Sequence, residues 1–104
     1  MGSFTRLTYH IVFATKYRKR TIKAEIQERL YEYIGGTLRN KKGHLIETGG
    51  VEDHVHLLAG MSPSLAVSDV IRDLKANSSK WMKEELRVDG FEWQKGFGAF
   101  TVSY

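Results

Sequence analysis

Apolar residues alternate along the first part of the chain. Leu7, Tyr9, Ile11 and Phe13 fall on one side of an extended backbone, and Thr8, His10, Val12 and Ala14 on the other. Aromatic and β-branched residues at a period of two predict a long strand from Phe4 to Ala14, partly buried on both faces. The period then lengthens. Ile22, Ile26, Leu30, Ile34 and Leu38 recur every fourth residue, flanked by Tyr31 and Tyr33, which predicts an amphipathic helix capped by Thr21 and running to about Asn40. Gly35-Gly36 inside it costs roughly 1–2 kcal/mol relative to alanines, tolerable where the helix crosses a strand closely. Gly43 is a natural stop. His44 to Thr48 reads as a short strand and Val51 to Ala59 as another, joined at Gly49-Gly50 into an antiparallel hairpin. Ser62-Pro63-Ser64 breaks the pattern and opens a second helix. Its buried stripe is Leu65, Val67, Val70, Ile71, Leu74, Ser78, Trp81, Met82 and Leu86, and Asp89-Gly90 ends it. A last strand is expected from about Gly98 to Ser103.

The order β-α-β-β-α-β predicts an α+β domain of the ferredoxin-like, RRM-like kind: a four-stranded antiparallel sheet with two helices on one face. Residues 1–104 form one domain of this kind, with the first and third strands at the centre of the sheet.

The third strand carries the candidate chemistry. His54 and His56 share one face, about 6.6–6.8 Å apart along the backbone, with Val55 and Leu57 on the other. Two imidazoles so spaced can close on one divalent metal, as half of a site. Hydrogen bonding within the sheet is the competing role for the same pair.

Composition narrows the picture. The 104 residues hold 41% hydrophobic and 27% charged residues, ordinary for a globular domain. The absence of cysteine excludes a disulfide framework and any thiolate ligand or nucleophile. No apolar run approaches the ~18–20 residues that span a bilayer and no leader opens the chain, so no membrane partner and a cytoplasmic location are expected. The net charge is +4, and five of the sixteen basic residues lie between Lys16 and Lys23. Within Thr15-Lys16-Tyr17-Arg18-Lys19-Arg20 one aromatic ring stands among cations, the combination with which single-stranded nucleic-acid sites track phosphates and stack a base. A solvated basic turn is the plainer alternative.

Four blocks occur in order: Tyr9-His10-Ile11-Val12-Phe13-Ala14-Thr15-Lys16-Tyr17-Arg18, Asp53-His54-Val55-His56-Leu57-Leu58, Leu74-Lys75-Ala76-Asn77-Ser78-Ser79-Lys80-Trp81, and Trp93-Gln94-Lys95-Gly96-Phe97-Gly98-Ala99-Phe100. Together they resemble the small single-tyrosine HUH transposases of insertion sequences and the repeat-associated tyrosine transposases, over nearly the whole chain. The resemblance implies DNA transposition: a metal-dependent endonuclease and strand transferase, working on single-stranded DNA through a 5′-phosphotyrosine. By this match His54 and His56 hold Mg²⁺ or Mn²⁺. Lys16, Tyr17, Arg18, Arg20 and Lys75 are then the candidates for holding the hairpin ends of a mobile element, and a homodimer joined through its sheets is implied.

The chain departs from the family pattern at one place. The family's nucleophilic tyrosine and third ligand lie on a helix after the last strand, and the sequence stops at Tyr104. Tyr104 sits in a strand-end pattern and is a poor candidate nucleophile. The expectation is a truncated, catalytically inactive member. The alternative is a non-catalytic module that binds single-stranded nucleic acid on the same fold.

Overall fold

In the computed structural model, which describes residues 7–101, four strands and two long helices follow one another in chain order. Strand β1 (Leu7–Ala14) leads through a 3₁₀ turn at Lys16–Arg18 to helix α1 (Ala24–Asn40). Strands β2 (His44–Val51) and β3 (His54–Met61) form a hairpin, followed by helix α2 (Val67–Glu84) and strand β4 (Gly98–Thr101). The sheet order is β2-β3-β1-β4 and every pairing is antiparallel, so β1 and β3 are central. Phe4, Ser103 and Tyr104 lie outside the described residues.

Alternation along the central strands sets the two layers. Ile11 and Phe13 of β1 and Val55, Leu57 and Ala59 of β3 are buried. They meet Leu30, Ile34 and Leu38 of α1 and Val70, Ile71, Leu74 and Met82 of α2 in one core. Both helices therefore cover one face of the sheet, because only there do the 3.6-residue and two-residue apolar periods coincide. The opposite set on the central strands, His10, Val12, His54, His56 and Leu58, ranges from half-buried to exposed.

Helix starts differ from the sequence expectation. The residue before α1 is Lys23 and that before α2 is Ala66, and neither makes a side-chain cap. Thr21 stands outside α1, while Ile22 is fully buried and its N–H donates to Glu52 O at 2.9 Å. Docking of Ile22 under the hairpin turn outcompetes the local capping signal of Thr21. Ser62 and Ser64 hydrogen-bond to each other at 2.9 Å in the turn before α2.

The hairpin itself is a correction. Its turn is Glu52-Asp53, and Gly49-Gly50 lies inside β2, paired with His56 and Val55. Two contacts explain this. The carbonyls of Glu52 and Asp53 accept from the N–H groups of Ile22 and Thr15, both at 2.9 Å, which docks the turn on the segment after β1. The glycines serve the sheet: a Cβ on Gly49 would lie 2.9 Å from His56 Cε1, closer than real contacts allow. Gly49 is the seat of the His56 ring.

Candidate metal and nucleic-acid site

All four histidines of the chain project from the open face of the sheet. His54 and His56 alternate with buried Val55 and Leu57, and His10 enters from β1 opposite Leu58. His44 comes from β2, its ring against Gly60. The His54 and His56 rings have centroids 6.5 Å apart, inclined at 34°, and His10 meets His56 edge to face at 5.8 Å.

Asp53 orients the first of the pair, His54, a role that spacing alone did not reveal. Its Oδ1 lies 3.0 Å from His54 Nδ1, and its Oδ2 accepts from Arg18 Nε at 3.2 Å. The hydrogen bond with His54, reinforced by the bond and charge of Arg18 and opposed by desolvation, holds the Asp53 carboxyl below the ordinary range. An ionised carboxylate accepting Nδ1–H fixes the tautomer that leaves Nε2 as a lone-pair donor, the arrangement that orients ligating histidines. The signal available in the sequence was position alone: Asp53 is the last turn residue before His54, and its carbonyl is tied to Thr15. Among the described residues no group of three or more His, Asp or Glu side chains is placed to hold an ion. The donors fit a divalent cation as a half-site, with two imidazoles and the remaining positions open to water or phosphate oxygen.

The basic turn adjoins this pair. Thr15 is buried and its hydroxyl donates to Lys19 O at 2.7 Å, closing the turn. Tyr17 and Arg18 both adopt left-handed conformations, at φ 58° and 54°, a strained arrangement for consecutive non-glycine residues. The strain leaves Tyr17 78% exposed, with Lys16 Nζ 5.4 Å from its ring centroid. Lys16 also reaches Glu92 at 3.7 Å. Arg20 lines an open depression with Val51, Glu52 and Asp53.

Lys75 is placed differently from the other expected DNA-binding residues. It extends from α2, on the helix side of the sheet, and its ammonium donates to the carbonyls of Gln94 (2.5 Å) and Gly96 (2.8 Å). Burial lowers its pKa from the usual lysine value. It secures the loop that leads into β4. Four of the five cations and rings expected to meet DNA thus cluster on the turn, and the fifth, Lys75, stands apart from them on α2.

A four-stranded antiparallel sheet with two helices on one face and histidines on the other, ending in a basic, aromatic turn, defines an α+β domain with one open face. Comparison with known proteins specifies it: the chain matches the family of IS200-like transposases over residues 3–104 and belongs to it. It is 28% identical over 109 residues to the ISDra2 transposase TnpA of Deinococcus radiodurans, covering 98% of this chain and 77% of that protein. It is 29% identical over 100 residues to the transposase for insertion sequence element IS200 of Salmonella typhimurium, covering 90% and 66%. A crystal structure of a putative transposase from Deinococcus radiodurans superposes with a TM-score of 0.87 at 27% identity, covering 99% of this chain and 84% of that one. The REP-associated tyrosine transposase bound to a REP hairpin shares the fold, with a TM-score of 0.70 at 13% identity, covering 100% and 61%. Among the described residues no helix is long and apolar enough to cross a membrane.

Gly49 offers a direct test of the site's geometry. Gly49→Ala is expected to turn the His56 ring out of place and weaken Mn²⁺ binding about tenfold, because the new methyl would occupy the ring's position. Calorimetry on the folded variant checks this, and an unchanged affinity would mean that the ring has room to move.

Proposed function

We propose that this chain binds single-stranded DNA hairpins from the ends of a mobile element, using the open sheet face and the basic turn. His54 and His56 hold Mg²⁺ or Mn²⁺. The observation that carries this reading is the continuous chain Arg18–Asp53–His54, which couples the turn that meets phosphate to the candidate metal ligand. The fold is read as ferredoxin-like, and the hairpin-bound relative of the same fold supports the choice of DNA.

The divisions of labour follow from position. Lys16 and Arg20 attract the phosphate backbone, and the exposed Tyr17 ring stacks on an unpaired base. Arg18 keeps its Nη groups for phosphate while its Nε holds Asp53. Asp53 fixes the His54 imidazole, and Gly49 seats that of His56. A divalent ion bound there would polarise a phosphate and stabilise charge developing on it. Homodimerisation through the sheets is supported by β2, an outer strand on which Ile46 and Val51 are 43% and 53% exposed.

Inactivity of this chain in cleavage is part of the proposal. Tyr9 packs toward the helices, Tyr31 packs against the core, and Tyr33 stacks on Trp81 at 4.6 Å. None of these lies on the histidine face, and Tyr104 falls outside the described residues. A non-catalytic binding module is the second reading; among the described tyrosines Tyr17 alone is exposed, on the turn beside the histidine pair. With a labelled hairpin oligonucleotide and Mn²⁺, the chain is expected to shift the DNA on a native gel and to leave no covalent band on a denaturing one. A covalent band abolished by Tyr17→Phe or Tyr104→Phe would place the nucleophile in this chain. Equal affinity for hairpin and random duplex would overturn the choice of ligand.

A further inference from the structure

Glu47 is a carboxylate on the face that the proposed function assigns to DNA, and its sign is wrong for phosphate. Among the described residues it has no ion pair and no side-chain hydrogen bond. The backbone sets its position: a bulge between Leu45 and Glu47 shifts the register of β2 and puts Glu47 opposite Leu58. Leu58 in turn pairs with His10 of β1. Glu47, Leu58 and His10 thus form a row across three strands, with neighbouring Cβ atoms about 4.5–5.5 Å apart. The next row along the sheet carries His56, whose ring meets that of His10 edge to face at 5.8 Å.

These side chains, with Thr48, line an open depression of ≈ 330 Å³ beside the histidine pair. That is the scale of a small-ligand site, about 300–1,000 Å³. Its floor is the half-buried Leu58, its walls are two imidazole edges, and its polar end is Glu47. An unpaired nucleobase has the matching shape, a flat ring with a polar edge. The carboxylate selects among bases because it offers two acceptors and no donor. Guanine alone sets two donors side by side on its Watson–Crick edge, N1–H and N2–H. Adenine and cytosine place an acceptor beside their amino group, and the N3–H of thymine stands between two carbonyls.

We infer that Glu47, Leu58 and His10 form a seat for one unpaired guanine next to the His54/His56 pair. This seat rests on the proposed function, deepens it with a base preference, and is separable from it in experiment. Fluorescence anisotropy would be measured on hairpin oligonucleotides with a short single-stranded flank, each flank position carrying in turn guanine, inosine, adenine, cytosine or thymine. At one position inosine, which lacks the N2 amino group, should weaken binding to the unaltered chain by about tenfold, the discrimination one bidentate pair supplies. Glu47→Gln places a donor opposite a guanine donor, so this preference should vanish while guanine-free hairpins bind as well or better. His10→Ala should also reduce the preference without changing the salt dependence. Glu47 is exposed on an outer strand, and unchanged circular dichroism would confirm that its variant folds. No guanine preference at any position, or a preference that persists in Glu47→Gln, overturns the inference while hairpin binding stands. Failure of the unaltered chain to bind any hairpin overturns the proposed function as well.

Discussion

Trp93→Ala is expected to lower the stability of the folded chain by about 3–5 kcal/mol, a large share of the roughly 5–15 kcal/mol available to a domain of this kind. The indole is 8% exposed and lies edge to face with Phe13 at 4.7 Å and Phe91 at 4.8 Å. Its Nε1–H donates to Ser78 Oγ at 2.9 Å, and that hydroxyl donates to Leu74 O at 2.6 Å. Removing the ring opens a cavity between β1, α2 and the segment before β4, and deprives the buried Ser78 of its donor. The same segment bridges Thr15, whose hydroxyl closes the basic turn, so local order at the site should fall with stability. Urea unfolding followed by fluorescence and circular dichroism reads the change. A loss below about 1 kcal/mol would show that the three rings are not the brace of this end of the sheet.

The second large effect is on affinity. Lys16→Ala, Lys19→Ala and Arg20→Ala made together are expected to reduce the slope of log affinity against log salt by about 2 on single-stranded DNA, at ~0.7 for each phosphate that is no longer neutralised. Arg18 is left in place because its Nε holds Asp53, and its removal would confound binding with the orientation of His54. Lys16 belongs to the set despite its reach to Glu92, since an exposed pair at 3.7 Å contributes little. Titrations at several salt concentrations give the slope directly. An unchanged slope would mean that the turn is merely solvated.

Much of the fold was legible because its periods are clean. The alternation along Leu7–Phe13 and the four-residue spacing from Ile26 to Leu38 mark β1 and α1 without tertiary information. The central placement of the histidine strand followed from element order alone, and the sheet order agrees. The hairpin turn was not legible. Gly49-Gly50 carries a strong local turn signal, yet what places the turn at Glu52-Asp53 is non-local: carbonyls met by Thr15 and Ile22, and an imidazole that needs glycine beneath it. The contacts of Lys75 were hidden for a similar reason. A lysine on a basic, hydroxyl-rich helix stripe offers itself as a DNA contact, and only the folded chain brings the Gln94 and Gly96 carbonyls to it. The His54/His56 pair was visible in spacing, whereas its support by Asp53 and Arg18 depends on joining two segments 35 residues apart.

On the proposed reading His54, braced by Asp53, and His56 together hold the metal ion on the open face of the sheet. The most direct test of this claim is a Mn²⁺ titration followed by imidazole ¹H–¹⁵N correlation spectra of the histidines. Broadening should reach the His54 and His56 resonances first, with Nε2 as the ligating atom of His54, before that of His44. Asp53→Asn should demand more Mn²⁺ for the same broadening, without unfolding the chain. Uniform broadening of all four histidines, or none at concentrations that saturate the surface carboxylates, would contradict the claim and leave the pair as hydrogen-bonded residues of the sheet.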